Sequence, residues 1–253
     1  MPGTTLFISD LHLCGQRPTI TQLFLDFLAG EARTADALYI LGDLFEFWIG
    51  DDAAGQDDFR AVVAGLHALT RSGTPVFVMH GNRDFLMGPG FEQVTGCRLI
   101  ADPVRIDLYG QPALLMHGDS LCTADTEYMG FRAMVRSPDW QRDFLAKSLA
   151  ERNAIFGSYR EISKATTLKK KPEIMDVTQH AVEAIMRQHG VHRLIHGHTH
   201  RPGEHVFDLD GARARRLVLG DWYEHGSMLR VNAKGWKLEQ LRPAGDPQQR
   251  TGR

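Results

Sequence analysis

TTLFISDLH, at residues 4–12, is a run of β-formers bounded in front by Pro2-Gly3 and followed by two polar groups two residues apart, Asp10 and His12. In an extended chain residues i and i+2 project to the same side. A strand here therefore hands an aspartate and a histidine to one rim. The pattern recurs along the chain. ALYIL precedes Gly42-Asp43, and PVFVMH precedes Gly81-Asn82-Arg83-Asp84. PALLM precedes His117-Gly118-Asp119, and RLIH precedes Gly197-His198-Thr199-His200. Helical stripes separate the first three runs: Ile20, Leu23, Phe24, Phe27 and Leu28 within residues 19–29, then Phe59, Val62, Val63, Leu66 and Leu69 within 58–71. This βαβαβ opening predicts an α/β fold whose sheet has a parallel core.

In open α/β sheets ligands bind beyond the carboxyl ends of the strands. The five runs thus predict one rim carrying Asp10, His12, Asp43, Asn82, His117, His198 and His200. Seven oxygen and nitrogen ligands exceed what one metal needs and suit two metals bridged by a carboxylate. Asp43, the lone ligand of its motif, is the natural bridge. Mixed imidazole, carboxylate and amide ligation points to Mn²⁺, Fe or Zn²⁺ rather than Ca²⁺. Two metals ~3.5–4 Å apart clamp a phosphoryl group and make a nucleophile of a bound water. Any one of these motifs alone is more often a turn than a site. Their conjunction at successive strand ends carries the reading.

The rest of the chain sets limits. Its 253 residues are 43% hydrophobic and 24% charged, an ordinary globular composition that excludes disorder for most of the length. A net charge of −2 gives no global case for nucleic-acid binding. No apolar run approaches the ~20 residues of a spanning helix, and no secretory signal opens the chain. Three cysteines, Cys14, Cys97 and Cys122, suggest a reducing compartment rather than a disulfide framework. Val104–Leu108 and Ala113–Met116 read as a hairpin, and residues 124–168 read as mostly helical. A helix is predicted over Asp176–His189. The turn signals Asp210-Gly211 and Lys234-Gly235 predict an antiparallel end. One domain over residues 1–242 and a frayed tail at 243–253 follow.

Together the five motifs resemble the full signature of the calcineurin-like metallophosphoesterases, over about residues 4–222. The resemblance implies a four-layer αββα sandwich with two central sheets. It implies one metal on Asp10, His12, Asp43 and His200, and a second on Asp43, Asn82, His117 and His198. Most members have His after the Gly-Asn pair, where this chain has Arg83. Gly81–Asp84, Gly42–Asp52, His117–Thr123 and Ile174–Val177 together resemble a branch of that family, the UDP-2,3-diacylglucosamine diphosphatases of lipid A biosynthesis.

That branch implies hydrolysis of the substrate's pyrophosphate to UMP and 2,3-diacylglucosamine 1-phosphate, by a metal-activated water attacking the α-phosphorus. It implies two divalent ions, Mn²⁺ foremost, and a helical lid at about 124–175. It also implies a nucleotide-linked glycolipid substrate contacted by Asn82, Arg83, Asp125, Ser163, Thr167, Lys170 and His198. Relatives often have Asn where Thr167 stands. The expected setting is the cytoplasmic face of the inner membrane, peripherally attached, with no nucleic acid and no obligate protein partner. Tyr128 and Arg160 are further lid candidates.

Arg83 is either a surface partner of Asp84 or a fixed cation for transition-state charge; its place beside a ligand favours the latter. Asp84 and Asp119 are expected to orient imidazoles, and His80 and His196 to lie off the metals. Phe45, Phe47, Trp48 and Ile49 read as core, but Glu46 and Asp51-Asp52 interrupt them, so part of this stretch is expected to line an apolar pocket. Met129, Phe131, Met134, Trp140 and Phe144 are the matching lid candidates. Arg160, Lys164, Lys169, Lys170 and Lys171 form the cluster expected to meet an anionic surface. Two rival readings remain at this point: a metallophosphoesterase acting on another nucleotide or phosphodiester, and a non-catalytic scaffold. The scaffold should have lost ligands, and all seven are present.

Overall fold

The first strand already shows how the layers stack. β1 (Thr4–Ile8) buries Leu6 and Ile8 among helix residues on one face, and Phe7 among strand residues on the other. A strand covered on both faces belongs to the inside of a layered fold. The computed structural model describes residues 3–167, 170 and 174–243, with the backbone alone at 162–167.

After β1 come α1 (Pro18–Ala29), β2 (Ala37–Leu41), α2 (Asp57–Arg71), β3 (Val76–Met79), α3 (Pro89–Thr95) and β4 (Arg98–Ile100). The hairpin β5 (Val104–Leu108) and β6 (Gln111–Leu115) follows, then three helices, α4 (Thr126–Val135), α5 (Pro138–Leu145) and α6 (Leu149–Thr167). The chain ends in α7 (Gln179–His189), β7 (Arg193–His196), β8 (Gly203–Leu209), β9 (Ala212–Val218), β10 (Gly226–Asn232) and β11 (Gly235–Leu241).

The strands form two sheets, in the orders β11-β10-β1-β2-β3-β4 and β5-β6-β7-β9-β8. β1 to β4 run parallel, as the opening pattern predicted. Phe7, Leu41 and Met79 of the first sheet meet Leu115, Ile195 and Leu217 on the inner face of the second. On the outer faces, Leu38, Ile40 and Val78 pack under α1 and α2, while Leu114 and Leu194 pack under α7. The layers are therefore α, β, β, α, the predicted sandwich. Burying an apolar side chain such as Phe7 stabilises it by about 1.5–3 kcal/mol.

Boundaries differ in instructive places. The antiparallel end divides between the sheets: β9 joins β7 in parallel in the second, while β10 joins β1 antiparallel in the first. Asp210 and Gly211 both take positive φ (55° and 82°), as a tight hairpin turn requires. The second turn falls one residue early, at Ala233-Lys234, because Asn232 Oδ1 accepts from the N–H of Lys234 and of Gly235 (2.8 and 3.2 Å). α7 starts three residues after Asp176. Thr178 N–H is bonded to Leu121 O at 2.9 Å, and Asp176 is paired with Arg201. Of the expected tail, residues 244–253 lie outside the described residues, as do Lys169 and Lys171. The same holds for the side chains of Ser163, Lys164 and Thr167.

Candidate metal centre

Each of the five motif loops leaves the carboxyl end of its strand: β1, β2 and β3 in one sheet, β6 and β7 in the other. Backbone bonds tie the loops to one another. Asp10 N donates to Gly42 O (3.1 Å), His12 N to Asp43 O (2.9 Å) and Gly197 N to His117 O (2.8 Å). From the far end of the chain, Trp222 N donates to Asp10 O at 3.0 Å. Asp10, His12, Asp43, His198 and His200 all take left-handed φ, between 49° and 68°. Such residues cost on the order of 1–3 kcal/mol each and persist only where their surroundings over-determine them. Five of the seven predicted ligands carry this strain.

The side chains converge as two overlapping groups. In the first, His12 Nε2 lies 3.2 Å from His200 Nε2 and 3.8 Å from Asp43 Oδ2, and His200 Nε2 lies 3.4 Å from Asp10 Oδ1. In the second, His117 Nε2 lies 3.9 Å from Asp43 Oδ1 and 3.0 Å from Asn82 Oδ1, and His198 Nδ1 lies 2.9 Å from the same amide oxygen. Asp43 thus presents one oxygen to each group, as a bridge must. Asp10 Oδ2 accepts from Ser9 Oγ and His198 N, but Oδ1 is buried without a hydrogen-bond partner. A buried carboxylate oxygen left unpaired is costly, and a cation relieves it. Buried carboxylates, converging imidazole nitrogens and that orphaned oxygen together fit divalent metals.

Electrostatics agree. Burial pushes the Asp43 carboxyl up to about 7, with Asp84 and Asp10 adding to it and His117 opposing. Burial alone lowers His117, but Asp43, Asp119 and Asp10 outweigh it and raise the imidazole to about 9. Burial also works against the Asp10 carboxylate, yet the surrounding imidazoles of His200, His117 and His12 hold it below its usual range. Protons thus occupy part of the centre, and cations entering it displace them.

Glycine is required where the loops touch. Gly42 has φ 90°, and a Cβ there would fall 2.5 Å from His117 Nδ1 and 2.7 Å from Gly81 Cα. Gly42→Ala should push His117 off its bond to Leu41 O (2.9 Å). The expected result is a loss of about 1–3 kcal/mol of stability together with weakened metal uptake, read by thermal melting with and without metal. Unchanged melting and uptake would contradict this geometry.

The neighbours of the ligands depart from expectation in two cases. Asp84 orients no imidazole; its carboxylate accepts backbone N–H groups of Leu44 (2.7 Å) and Gly81 (2.8 Å), binding two ligand loops together. Asp119 accepts from Tyr128 Oη (2.7 Å) and Arg132 Nε (2.8 Å), anchoring α4 instead. The short distance from each aspartate to a ligand in sequence concealed that backbone and α4 donors lie nearer than any ring nitrogen. His117 is oriented by a carbonyl. His80 and His196 lie off the centre as expected, on Met87 O (2.8 Å) and Gly197 O (2.8 Å). Arg83 makes no ion pair with Asp84, whose oxygens are taken by backbone. Its N–H donates to Asp43 Oδ1 (2.8 Å), and its side-chain Nε is buried without a hydrogen-bond partner.

Beside the centre lies a cavity of about 330 Å³ whose wall includes Asn82, Arg83, Phe47, Phe85, Phe131 and Phe156. Asp125 and Lys170 sit on it, paired at 2.7 and 2.9 Å, and Tyr128 stacks on His198 at 5.9 Å between centroids. Phe47 lines this space, whereas Phe45, Trp48 and Ile49 are wholly core. Of the lid candidates Phe131 lines it. Phe144 and Trp140 pack into the core cluster, Met134 is 45% exposed, and Met129 is not on the wall. Arg160 and Lys170 also line the cavity, with Arg160 3.4 Å from Glu46. Lys170 is one of the substrate contacts, and Arg160 one of the lid candidates, that the resemblance implied, and both face this cavity.

Four residues near the ligands escaped the motif reading. Glu46 lies 3.6 Å from His12 Nδ1, and Asp221 lies 3.7 Å from His200 Nδ1. Tyr223 stacks parallel on His12 (5.5 Å, 6°), and Arg17 lies 4.8 Å from the centre of the Tyr223 ring. The break that Glu46 makes in an apolar run was the one available signal. Nothing local marks Asp221 or Tyr223, which reach the site from far along the chain.

A dimetal-type ligand rim at the seam of two sheets in an αββα sandwich defines a class, and residues 3–202 match the calcineurin-like phosphoesterase family, to which the chain belongs. Within that class it is 53% identical over 245 residues to the UDP-2,3-diacylglucosamine hydrolase of Xanthomonas campestris pv. campestris (strain B100), covering 94% of this chain and 99% of that protein. The UDP-2,3-diacylglucosamine hydrolase of Stenotrophomonas maltophilia (strain R551-3) is 51% identical over 245 residues, covering 94% of this chain and 98% of that one.

Proposed function

We propose that the chain hydrolyses the pyrophosphate bond of UDP-2,3-diacylglucosamine, giving UMP and 2,3-diacylglucosamine 1-phosphate. The observation that carries the reading is the juxtaposition of a seven-ligand rim with an aromatic-walled cavity bearing Arg83 and Lys170. The names of the relatives support the substrate. Asp10, His12, Asp43 and His200 would hold one divalent ion, and Asp43, Asn82, His117 and His198 the other. Mn²⁺ suits this mixture of imidazole, carboxylate and amide. When bound, such a pair supplies Lewis acidity at the phosphoryl oxygens and a water acidic enough to act as nucleophile.

The chain's own groups do the rest. The guanidinium of Arg83, with a buried donor to spare, matches phosphoryl oxygens bidentately where charge develops at the α-phosphorus. Phe47, Phe85, Phe131 and Phe156 exclude water and give the acyl chains an apolar wall. Lys170, held by Asp125 and Glu127 (3.3 Å), offers an ammonium to the polar part of the substrate. Ser163 and Thr167 remain candidates for that contact from α6. Among the described residues no helix is long and apolar enough to cross a membrane. Peripheral docking on the cytoplasmic leaflet then falls to the lid, where Met134 and Leu145 are 45% and 40% exposed.

The test is UMP release from UDP-2,3-diacylglucosamine beside simple phosphodiesters. Chelation by EDTA should abolish the activity and Mn²⁺ should restore it. Metal at ~100 times its Kd should also stabilise the fold by about 2.7 kcal/mol, raising the melting temperature. Activity that survives exhaustive chelation, or a preference for simple diesters, would overturn the assignment.

A further inference from the structure

The two imidazoles beside Asp10 are arranged alike. His12 and His200 turn Nε2 inward, 3.2 Å from each other, and turn Nδ1 outward toward a carboxylate. His12 Nδ1 faces Glu46 Oε2 at 3.6 Å, and His200 Nδ1 faces Asp221 Oδ2 at 3.7 Å. His12 Nδ1 is buried and has no hydrogen-bond partner. Neither carboxylate belongs to a metal motif. Glu46 lies in the loop after β2, and Asp221 lies beyond residue 202, where the family match ends.

An imidazole whose Nε2 lone pair points at a cation carries its proton on Nδ1, and that N–H needs an acceptor to fix tautomer and ring orientation. The other half of the centre solves this differently. His117 sends Nδ1 to the carbonyl of Leu41 at 2.9 Å, and His198 turns Nδ1 itself inward. Among the described residues, a carboxylate within 4 Å of an imidazole Nδ1 of the centre is thus found only in the half built on Asp10. Both are placed to serve it. Arg17 and Arg160 flank Glu46 at 3.7 and 3.4 Å, and Tyr223, two residues from Asp221, holds the plane of the His12 ring. Closing either gap to hydrogen-bond length takes a shift of less than ~1 Å.

We propose that Glu46 and Asp221 are positioning residues for a single metal, the one on Asp10, His12, Asp43 and His200: they lock two imidazoles with Nε2 inward and raise their basicity. The inference rests on the dimetal reading of the site. Its test is metal binding itself: full-length protein stripped of metal is titrated with Mn²⁺ while free ion is followed by electron paramagnetic resonance.

Wild-type protein should bind two ions. A wild type that binds fewer removes the dimetal reading, whatever the variants do. Glu46→Ala and Asp221→Ala should each weaken one ion by about 10–100-fold and leave the other unchanged. The combined variant should keep one tight ion per chain. Glu46→Gln and Asp221→Asn, which retain an acceptor oxygen, should recover part of the loss, and they carry the test if an alanine variant does not fold. Two ions of wild-type affinity in the combined variant would overturn the proposal, as would equal weakening of both ions.

Discussion

Asp43→Ala is expected to cost both halves of the centre at once. Its Oδ2 lies 3.8 Å from His12 Nε2 and its Oδ1 lies 3.9 Å from His117 Nε2. Oδ1 also accepts the N–H of Arg83 (2.8 Å), so removing the carboxylate frees the loop that carries the cation. Hydrolysis should fall by several orders of magnitude, on the scale of about 10³-fold or more for a lost charge-stabilising element. Metal content should drop below that of His117→Ala, which strips a ligand from one group only. The comparison is made at limiting metal, by elemental analysis beside the UMP assay. Activity within about threefold of wild type would remove Asp43 from the bridge.

Arg83→Ala should leave metal content intact and lower kcat. The guanidinium touches no carboxylate of the centre, and its buried Nε is without a partner. If it acts on charge that develops in the transition state, kcat drops with a smaller change in KM. The loss should reach about 10²-fold, as for one oxyanion donor. Arg83→Lys should recover little, because an ammonium lacks the bidentate fork. A near-normal kcat in Arg83→Ala would leave the residue with only its backbone role, the bond from its N–H to Asp43.

Much of this was legible in residue order because the ligands travel with their strands. Apolar runs ending in Asp-x-His, Gly-Asp, Gly-Asn, His-Gly-Asp and Gly-His-x-His place seven side chains on one rim once the strands lie parallel. Period-2 burial, with Leu6 and Ile8 opposite Phe7, then stacks the layers. What stayed hidden depends on distance through space. The β8–β9 and β10–β11 hairpins look alike in sequence, yet they complete different sheets, because pairing partners are chosen by long-range register rather than local pattern. Asp84 and Asp119 sit next to ligands in sequence but answer to backbone N–H groups and to Arg132. Glu46 showed only as a break in an apolar run, and Asp221 reaches its imidazole through the fold alone.

The pairing of β1 with β10 also sets an order of events in synthesis. Thr4 to Phe7 lie against Leu229 to Asn232, and Asp10 O accepts from Trp222 N, so β1 gains one of its two neighbours only from a segment far along the chain. Contacts so distant in sequence close late and slowly. Until β10 has been made, Asp10 and His12 therefore follow a strand with one edge bare, exposed to mispairing in the way incomplete sheets are. Asp10 and His12 thus follow a strand whose pairing is complete only once β10 has joined it.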